Sequence, residues 1–202
     1  LNTLAEFDNS DDPRIDPAYT QLMERKAREW DAQGLPHRPT PHNLRYRAVR
    51  LPFINDAQSM TIDGSPACNR LLGQISDRGL GSVRMLSLPN SWNHLQADHV
   101  LAFRVLPLGP QESLVTTKWL VHKDAVEGVD YDLDKLTKVW LATNDQDRRL
   151  AEDNQKGINS IAYEPGPYSQ TIEFGVRNFI DWYCEEMQMQ LRAGKDDLQQ
   201  VA

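Results

Sequence analysis

The chain has 202 residues, 40% hydrophobic and 25% charged, with a formal net charge of -7. That is enough chain for one sizeable core, and the acidic balance excludes the basic face that general nucleic-acid binding needs. The only cysteines, Cys68 and Cys184, are in no Cys-x-x-Cys pair, which excludes a disulfide framework or zinc ribbon and points to a reducing cytoplasm. No apolar run approaches the ~18–20 residues of a membrane span. The first residues lack the basic start and apolar stretch of a signal peptide. Leu1 is not an initiator Met, the mark of a processed product or of a piece of something longer.

Residues 8–17 carry an acid cluster and read as a solvated loop. Asp16-Pro17 then starts a helix over 17–32, with Pro in its first turn and a weak stripe of Leu22, Ala27 and Trp30. Gly34 ends it, and 35–43, with three prolines and two histidines, is a connector. From Leu44 the period changes. Residues 45–51 read as a strand, and Met60–Ile62, Asp63-Gly64 and Ser65–Asn69 read as a hairpin with a type I′ turn. Strands follow at 82–88, 100–106 and 114–121. Pro107-Leu-Gly-Pro110 between the last two is expected to be irregular. From Asp132 the period is helical, with Leu136, Trp140, Thr143, Asp147 and Leu150 at steps of three and four, closing at 154–157. After a loop at 163–168, a final helix is expected over 169–191. Its apolar stripe is Ile172, Val176, Phe179, Ile180, Tyr183 and Met187, wide enough to bury against a sheet. The tail after Gly194 is polar and expected to fray. Consecutive strands with short links followed by two helices give an α+β fold on an antiparallel sheet. The expected division is an N-terminal helix and connector over 1–43, a main domain over 44–193 and a tail over 194–202.

Asp147 is the first candidate. A carboxylate on the apolar side of an amphipathic helix is costly to bury unless paired or bound to a cation. The alternatives are that it faces water or pairs with Arg148 or Arg149. Asp145 competes, but it points roughly 200° away on an ideal helix. His94 and His99 are second, because two histidines and a carboxylate make the facial triad of mononuclear Fe(II) oxygenases. Two histidines five apart are weak evidence, and partly exposed positions on a strand or hairpin serve as well. His37, His42 and His122 have no partner spacing. Trp92, Trp119, Trp140, Tyr163 and Tyr168 could bind a quaternary ammonium through their ring faces or simply pack. No phosphate loop, nucleophile elbow or His-Glu-x-x-His is present.

Leu106-Pro-Leu-Gly-Pro110, Thr116–His122, Val139–Gly157, Ser160-x-x-Tyr163-x-Pro-Gly-Pro-Tyr-Ser169 and Phe179-x-Asp-Trp-Tyr183 together resemble the catalytic domain of Rieske-type ring-hydroxylating oxygenase α-subunits. The similarity covers about 44 to 191. Lys118–Gly128 and Asn159-Ser160 resemble most the branch that oxidises quaternary ammonium compounds, the glycine betaine monooxygenase type.

The resemblance implies a helix-grip (START-like) fold, an antiparallel sheet wrapped around a long C-terminal helix. It implies mononuclear Fe(II) held by two histidines and an aspartate, and a [2Fe-2S] cluster in a Rieske domain. Electrons would come from NAD(P)H through a flavin reductase component. Asp147 matches the aspartate, eight residues before Gln155. The resemblance places the family's two histidines upstream of an Ala-Glu-Phe-Asp-like stretch, which here is Ala5–Asp8, so they and the Rieske domain are expected to lie outside this chain. His94 and His99 are therefore expected to be decoys. Trp140, Asn144, Trp92 and His94 are the expected substrate pocket. The expected activity is O₂-dependent N-demethylation of a compound such as glycine betaine, by a cytoplasmic homotrimer, with the isolated chain inactive. The rivals are a ring-hydroxylating dioxygenase of an aromatic acid and a non-catalytic helix-grip module that binds an apolar ligand.

Overall fold

The computed structural model describes residues 16–41, 45–169 and 173–200, with side chains described up to residue 192. The N-terminal stretch with Ala5–Asp8, and His42, Leu44 and Ile172, lie outside the described residues. Helix α1 spans Pro17–Ala32. The Asp16 carboxylate caps it by accepting the Ala18 N–H at 2.8 Å, and Pro17 has no N–H to leave unsatisfied. Of its expected stripe only Trp30 is buried.

Five strands follow: β1 (Tyr46–Leu51), β2 (Ser82–Ser87), β3 (Ser91–Leu95), β4 (Val100–Gly109) and β5 (Glu112–Leu120). They form one antiparallel sheet in chain order. Two helices complete the α+β fold, α2 (Leu133–Ile158) and the long C-terminal α3 (Phe174–Gln200). Asp132 caps α2 through the Lys135 N–H, at 2.8 Å.

The register gathers one face of the sheet. Val49 pairs with Arg84, Arg84 with His94, His94 with Leu101, and Leu101 with Trp119. Directly paired residues share a face. Leu51, Val49, His94, Leu101 and Phe103 are buried there. Leu136 of α2 is also buried, and Trp140 and Asn144 of α2 contact this face.

Several expectations are corrected. Residues 60–69 form turns and an isolated bridge at Cys68, not a hairpin. Gly64 has positive φ but Asp63 does not, so a type I′ turn is not formed. Side chains of the β3–β4 turn take the backbone N–H groups a hairpin would use: Gln96 accepts from Met60, and Asp98 accepts from Ala67 and Cys68. β4 runs on to Gly109, but its pairing with β5 shifts register between Pro107 and Gly109, so the expected irregularity lies inside the strand, and the turn is at Pro110-Gln111. The Val105 N–H points to Asn90, on the β3 side. Pro107, two residues on, has its nitrogen on that same side, where β3 no longer runs, so no ladder bond is lost. β3 falls within the strand or hairpin weighed for His94 and His99, and pairs with β4 through the turn between them.

Helix α3 starts at Phe174 rather than 169 and continues to Gln200, past the point where fraying is expected. Its described contacts with the sheet are at the β1 edge. The Arg47 guanidinium lies 4.4 Å from the centroid of the Phe174 ring, and Arg45 pairs with Glu186. Val176, Phe179, Tyr183 and Met187 stay exposed, so the stripe expected to be buried against the sheet is not covered by the described residues.

Candidate active site

The α2-facing side of the sheet carries an aromatic floor. Trp92 and Phe103 are register partners on β3 and β4, with stacked rings 4.9 Å apart at 10°. Trp140 reaches down from α2 and meets Phe103 at 5.2 Å and His94 at 4.6 Å, both edge-on. His94 and Phe103 are themselves 6.0 Å apart. Three of the four expected pocket residues, Trp92, His94 and Trp140, thus meet through Phe103. Sequence reading passed over Phe103; the alternation of Leu101, Phe103 and Val105 along β4 was the available signal.

His94 is buried, and its Nδ1 has no hydrogen-bond partner. Burial, and then the positive charge of Arg84 opposite, push its pKa down to about 4. The ring is therefore neutral at physiological pH. The Trp140 Nε1 is likewise buried without a partner.

One turn along α2 from Trp140, the Asn144 amide donates to the Thr117 hydroxyl of β5 at 3.0 Å. Asp147 follows one turn later. It is exposed, and among the described residues it makes no hydrogen bond or ion pair. Arg148 and Arg149 do not pair with it. They hold Asp145 instead, at 2.6 and 2.7 Å. The Arg148 hydrogen bond, then the Arg149 charge, keep the Asp145 carboxyl below its ordinary value. The competing carboxylate is thus engaged and Asp147 is open.

His94 and His99 do not complete a triad with Asp147. Among the described residues no three His, Cys, Asp or Glu side chains converge as a metal site. Asp147 is a single donor, and the described residues do not by themselves fit a three-ligand iron centre. Nor is either histidine partly exposed. His99 is fully buried in the β3–β4 turn, its Nδ1 donating to Asp98 at 2.8 Å. Asp98 is the hub of a structural network, accepting also from Ser59 at 2.9 Å, Ala67 N–H at 2.9 Å and Arg78 at 3.2 Å. Burial raises its pKa, but the hydrogen bond and charge of His99 and the Cys68 and Ser59 hydrogen bonds outweigh that, and the net shift is downward. His37 bonds Asp31 at 3.0 Å beside Trp30, and His122 accepts the Asp124 N–H at 3.2 Å; both are local braces. Tyr163 and Tyr168 are exposed and outside the floor.

Beside the floor lies an open cleft of about 340 Å³, lined by Leu51, Thr61, Asp63, Ser82, Arg84 and Val139 among others. Sequence reading singled out none of these. No described helix is long and apolar enough to cross a membrane.

Comparison with known proteins agrees with this layout. Residues 13–189 match the model of the ring hydroxylating alpha subunit (catalytic domain). The glycine betaine monooxygenase oxygenase subunit of Chromohalobacter salexigens is 56% identical over 193 residues, 96% of this chain and 43% of that protein. The Pseudomonas aeruginosa protein of the same name is 55% identical over 187 residues, 93% of this chain and 44% of that protein. A chloroplastic choline monooxygenase of Atriplex hortensis is 25% identical over 150 residues, 70% of this chain and 33% of that protein. The chain spans less than half the length of these relatives. The match runs through the sheet, the aromatic floor and the helix that carries Asp147, and the chain belongs to the ring-hydroxylating α-subunit catalytic-domain family.

Proposed function

We propose that this chain is the catalytic portion of a Rieske-type oxygenase that N-demethylates a quaternary ammonium compound such as glycine betaine. Hydroxylation of an N-methyl group with O₂ would be followed by loss of formaldehyde. The observation that carries this reading is the line of Trp140, Asn144 and Asp147 on α2, with Trp140 set over His94 and Phe103. Ring faces attract a trimethylammonium group, and the attraction grows when water is excluded. The 56% identity to a protein named for this activity supports the same substrate class.

Asp147 is the iron ligand in this reading, supported by its place in the family motif and by its open carboxylate. The other two ligands, histidines, come from outside this chain, as does the Rieske [2Fe-2S] cluster. A flavin reductase drawing on NAD(P)H supplies electrons. The intact protein is a cytoplasmic homotrimer. The residues in hand do the rest of the work: the aromatic floor receives the methyl groups and keeps water from them, and the Asn144–Thr117 bond fixes α2 against β5 beside Asp147.

The direct test is formaldehyde release from glycine betaine by the intact protein with a reductase. Diol formation from an aromatic acid, with no formaldehyde, would move the reading to the ring-hydroxylating class. Iron titration of the 202-residue chain is expected to show no stoichiometric binding at micromolar iron. Tight binding would mean that the ligand set lies within the chain.

A further inference from the structure

Removing a methyl group from a quaternary ammonium changes what its nitrogen can do. The substrate nitrogen carries four carbons and no N–H. The product is a tertiary amine, protonated at neutral pH, and its nitrogen carries one N–H. Ring faces attract both cations. A charged hydrogen-bond acceptor tells them apart, because only the product can donate to it.

The cleft beside the aromatic floor holds such an acceptor. Asp63 lines it. The Asp63 Oδ1 accepts the Ser65 hydroxyl at 2.7 Å, the Ser65 N–H at 3.1 Å and the Thr61 hydroxyl at 2.9 Å. These bonds, those of Ser65 first, hold its pKa down to about 2, so the carboxylate is ionised at physiological pH. All three end on one oxygen. Oδ2 has no hydrogen-bond partner among the described residues and can accept a further N–H. Ser82, at the start of β2, lines the same cleft. It is 3% exposed, and its hydroxyl has no hydrogen-bond partner among the described residues. A buried hydroxyl without a partner is costly, and a ligand oxygen would satisfy it. The Ser59 and Thr61 hydroxyls on the wall are already used, on Gln96 and Asp98 and on Asp63 and the Ser65 carbonyl. Arg84 also lines the cleft and is engaged in an interaction of its own. Leu51, Phe53, Met60 and Val139 give the cleft an apolar lining, and its volume of about 340 Å³ suits a small molecule.

We propose that this cleft is a product site: it binds an N-methylated amino acid, the compound left when a betaine loses a methyl group, with the ammonium N–H on Asp63 Oδ2 and the carboxylate on the Ser82 hydroxyl. This rests on the reading of the chain as a quaternary ammonium oxygenase. Selectivity follows from the contacts. A charge-assisted hydrogen bond to Asp63 is open to the tertiary ammonium and closed to the quaternary one. The ligand carboxylate supplies the acceptor that the buried Ser82 hydroxyl lacks, and the apolar lining receives the remaining methyl groups. The cleft is a neighbour of the floor and separate from it: Val139, on the cleft wall, directly precedes Trp140, in the floor. A product that moves into the cleft clears the ring faces for the next substrate.

Titration calorimetry on the intact protein tests this without turnover. Glycine betaine at saturation occupies the floor, and N,N-dimethylglycine is the titrant. Dimethylglycine is expected to bind without displacing glycine betaine. Asp63→Asn keeps Oδ1 as the acceptor for its three donors and removes the charge. It is expected to weaken dimethylglycine about tenfold or more. Ser82→Ala, a smaller change that keeps the fold if Asp63→Asn does not, is expected to weaken it about threefold to tenfold. Dimethylglycine that binds only by displacing glycine betaine, or that is unaffected by both substitutions, overturns the product site and leaves the substrate class standing. A protein that takes dimethylglycine through Asp63 and has no affinity for glycine betaine supports the cleft as a site for this ligand and overturns the substrate class.

Discussion

Trp140 of α2 and His94 of β3 meet edge-on, with ring centroids 4.6 Å apart at 61°. They are 46 positions apart in the chain, and the contact is what sets α2 onto the sheet with Asp147 two turns further along. If the floor receives a trimethylammonium group, Trp140→Ala removes its upper ring. The Michaelis constant for glycine betaine should then rise about 3- to 30-fold, the range expected for a partly desolvated cation–π contact. Trp140→Phe, which keeps a ring, should recover most of the loss. Steady-state formaldehyde release measures both. An unchanged constant in the alanine variant counts against the floor.

His94 should give the fold an acid limb. An unfolded histidine titrates near 6.5, and this one is held to about 4 in the fold. Between those values the unfolded chain binds a proton that the folded chain does not. Stability is therefore intact above about pH 6.5 and falls as the pH drops toward about 4, by on the order of 3 kcal/mol at most. Urea midpoints across this window should flatten in His94→Phe. An identical slope in the variant would mean that another group carries the limb.

The Asp98 network should matter more for stability than any exposed ion pair. Its carboxyl is held below the ordinary value, so its contribution is present above about pH 3.9 and is lost only as the pH falls through the folded value. Asp98→Ala leaves Arg78, His99, Ser59 and two backbone N–H groups without their acceptor. The expected loss is about 3–5 kcal/mol by urea denaturation at neutral pH. Breaking the exposed Lys156–Asp153 pair should leave the urea midpoint nearly unchanged, since water and salt screen it.

Among the described glycines, Gly81 leaves the least room for a side chain. Its φ is +72°, and a Cβ there would sit 2.3 Å from the Leu51 carbonyl oxygen and 3.2 Å from the Trp30 ring. Gly81→Ala should destabilise by about 3 kcal/mol or more, since a strained dihedral and a backbone clash coincide. Gly34 has a similar φ of +67° but open space around it. Gly34→Ala should cost only about 1–2 kcal/mol. Thermal unfolding of the pair separates strain from collision, and equal losses would refute the clash.

The sequence by itself determined α1, β1, β2 and α2, because each has a local cause: Asp16-Pro17 and Asp132 as caps, alternation in the strands, and three-four periodicity from Leu136 to Leu150. It carried the family through its motifs, and with it the proposal that Asp147 is the iron ligand. It did not determine which side chains meet. The pairing of Arg84 with His94, and of Trp92 with Phe103, is a product of strand register, which depends on partners far along the chain. The turns at 60–69 escaped local reading because their N–H groups are taken by Gln96 and Asp98, some thirty positions away. His94 and His99, equivalent on the page and both buried, were separated by their contacts: one packs edge-on against Trp140 with its Nδ1 unpaired, the other is held through Nδ1 by Asp98. The cleft with Ser82 and Arg84 was illegible for the same reason. A serine and an arginine on a short strand carry no signal until the sheet and α2 close around them and take the water from one side.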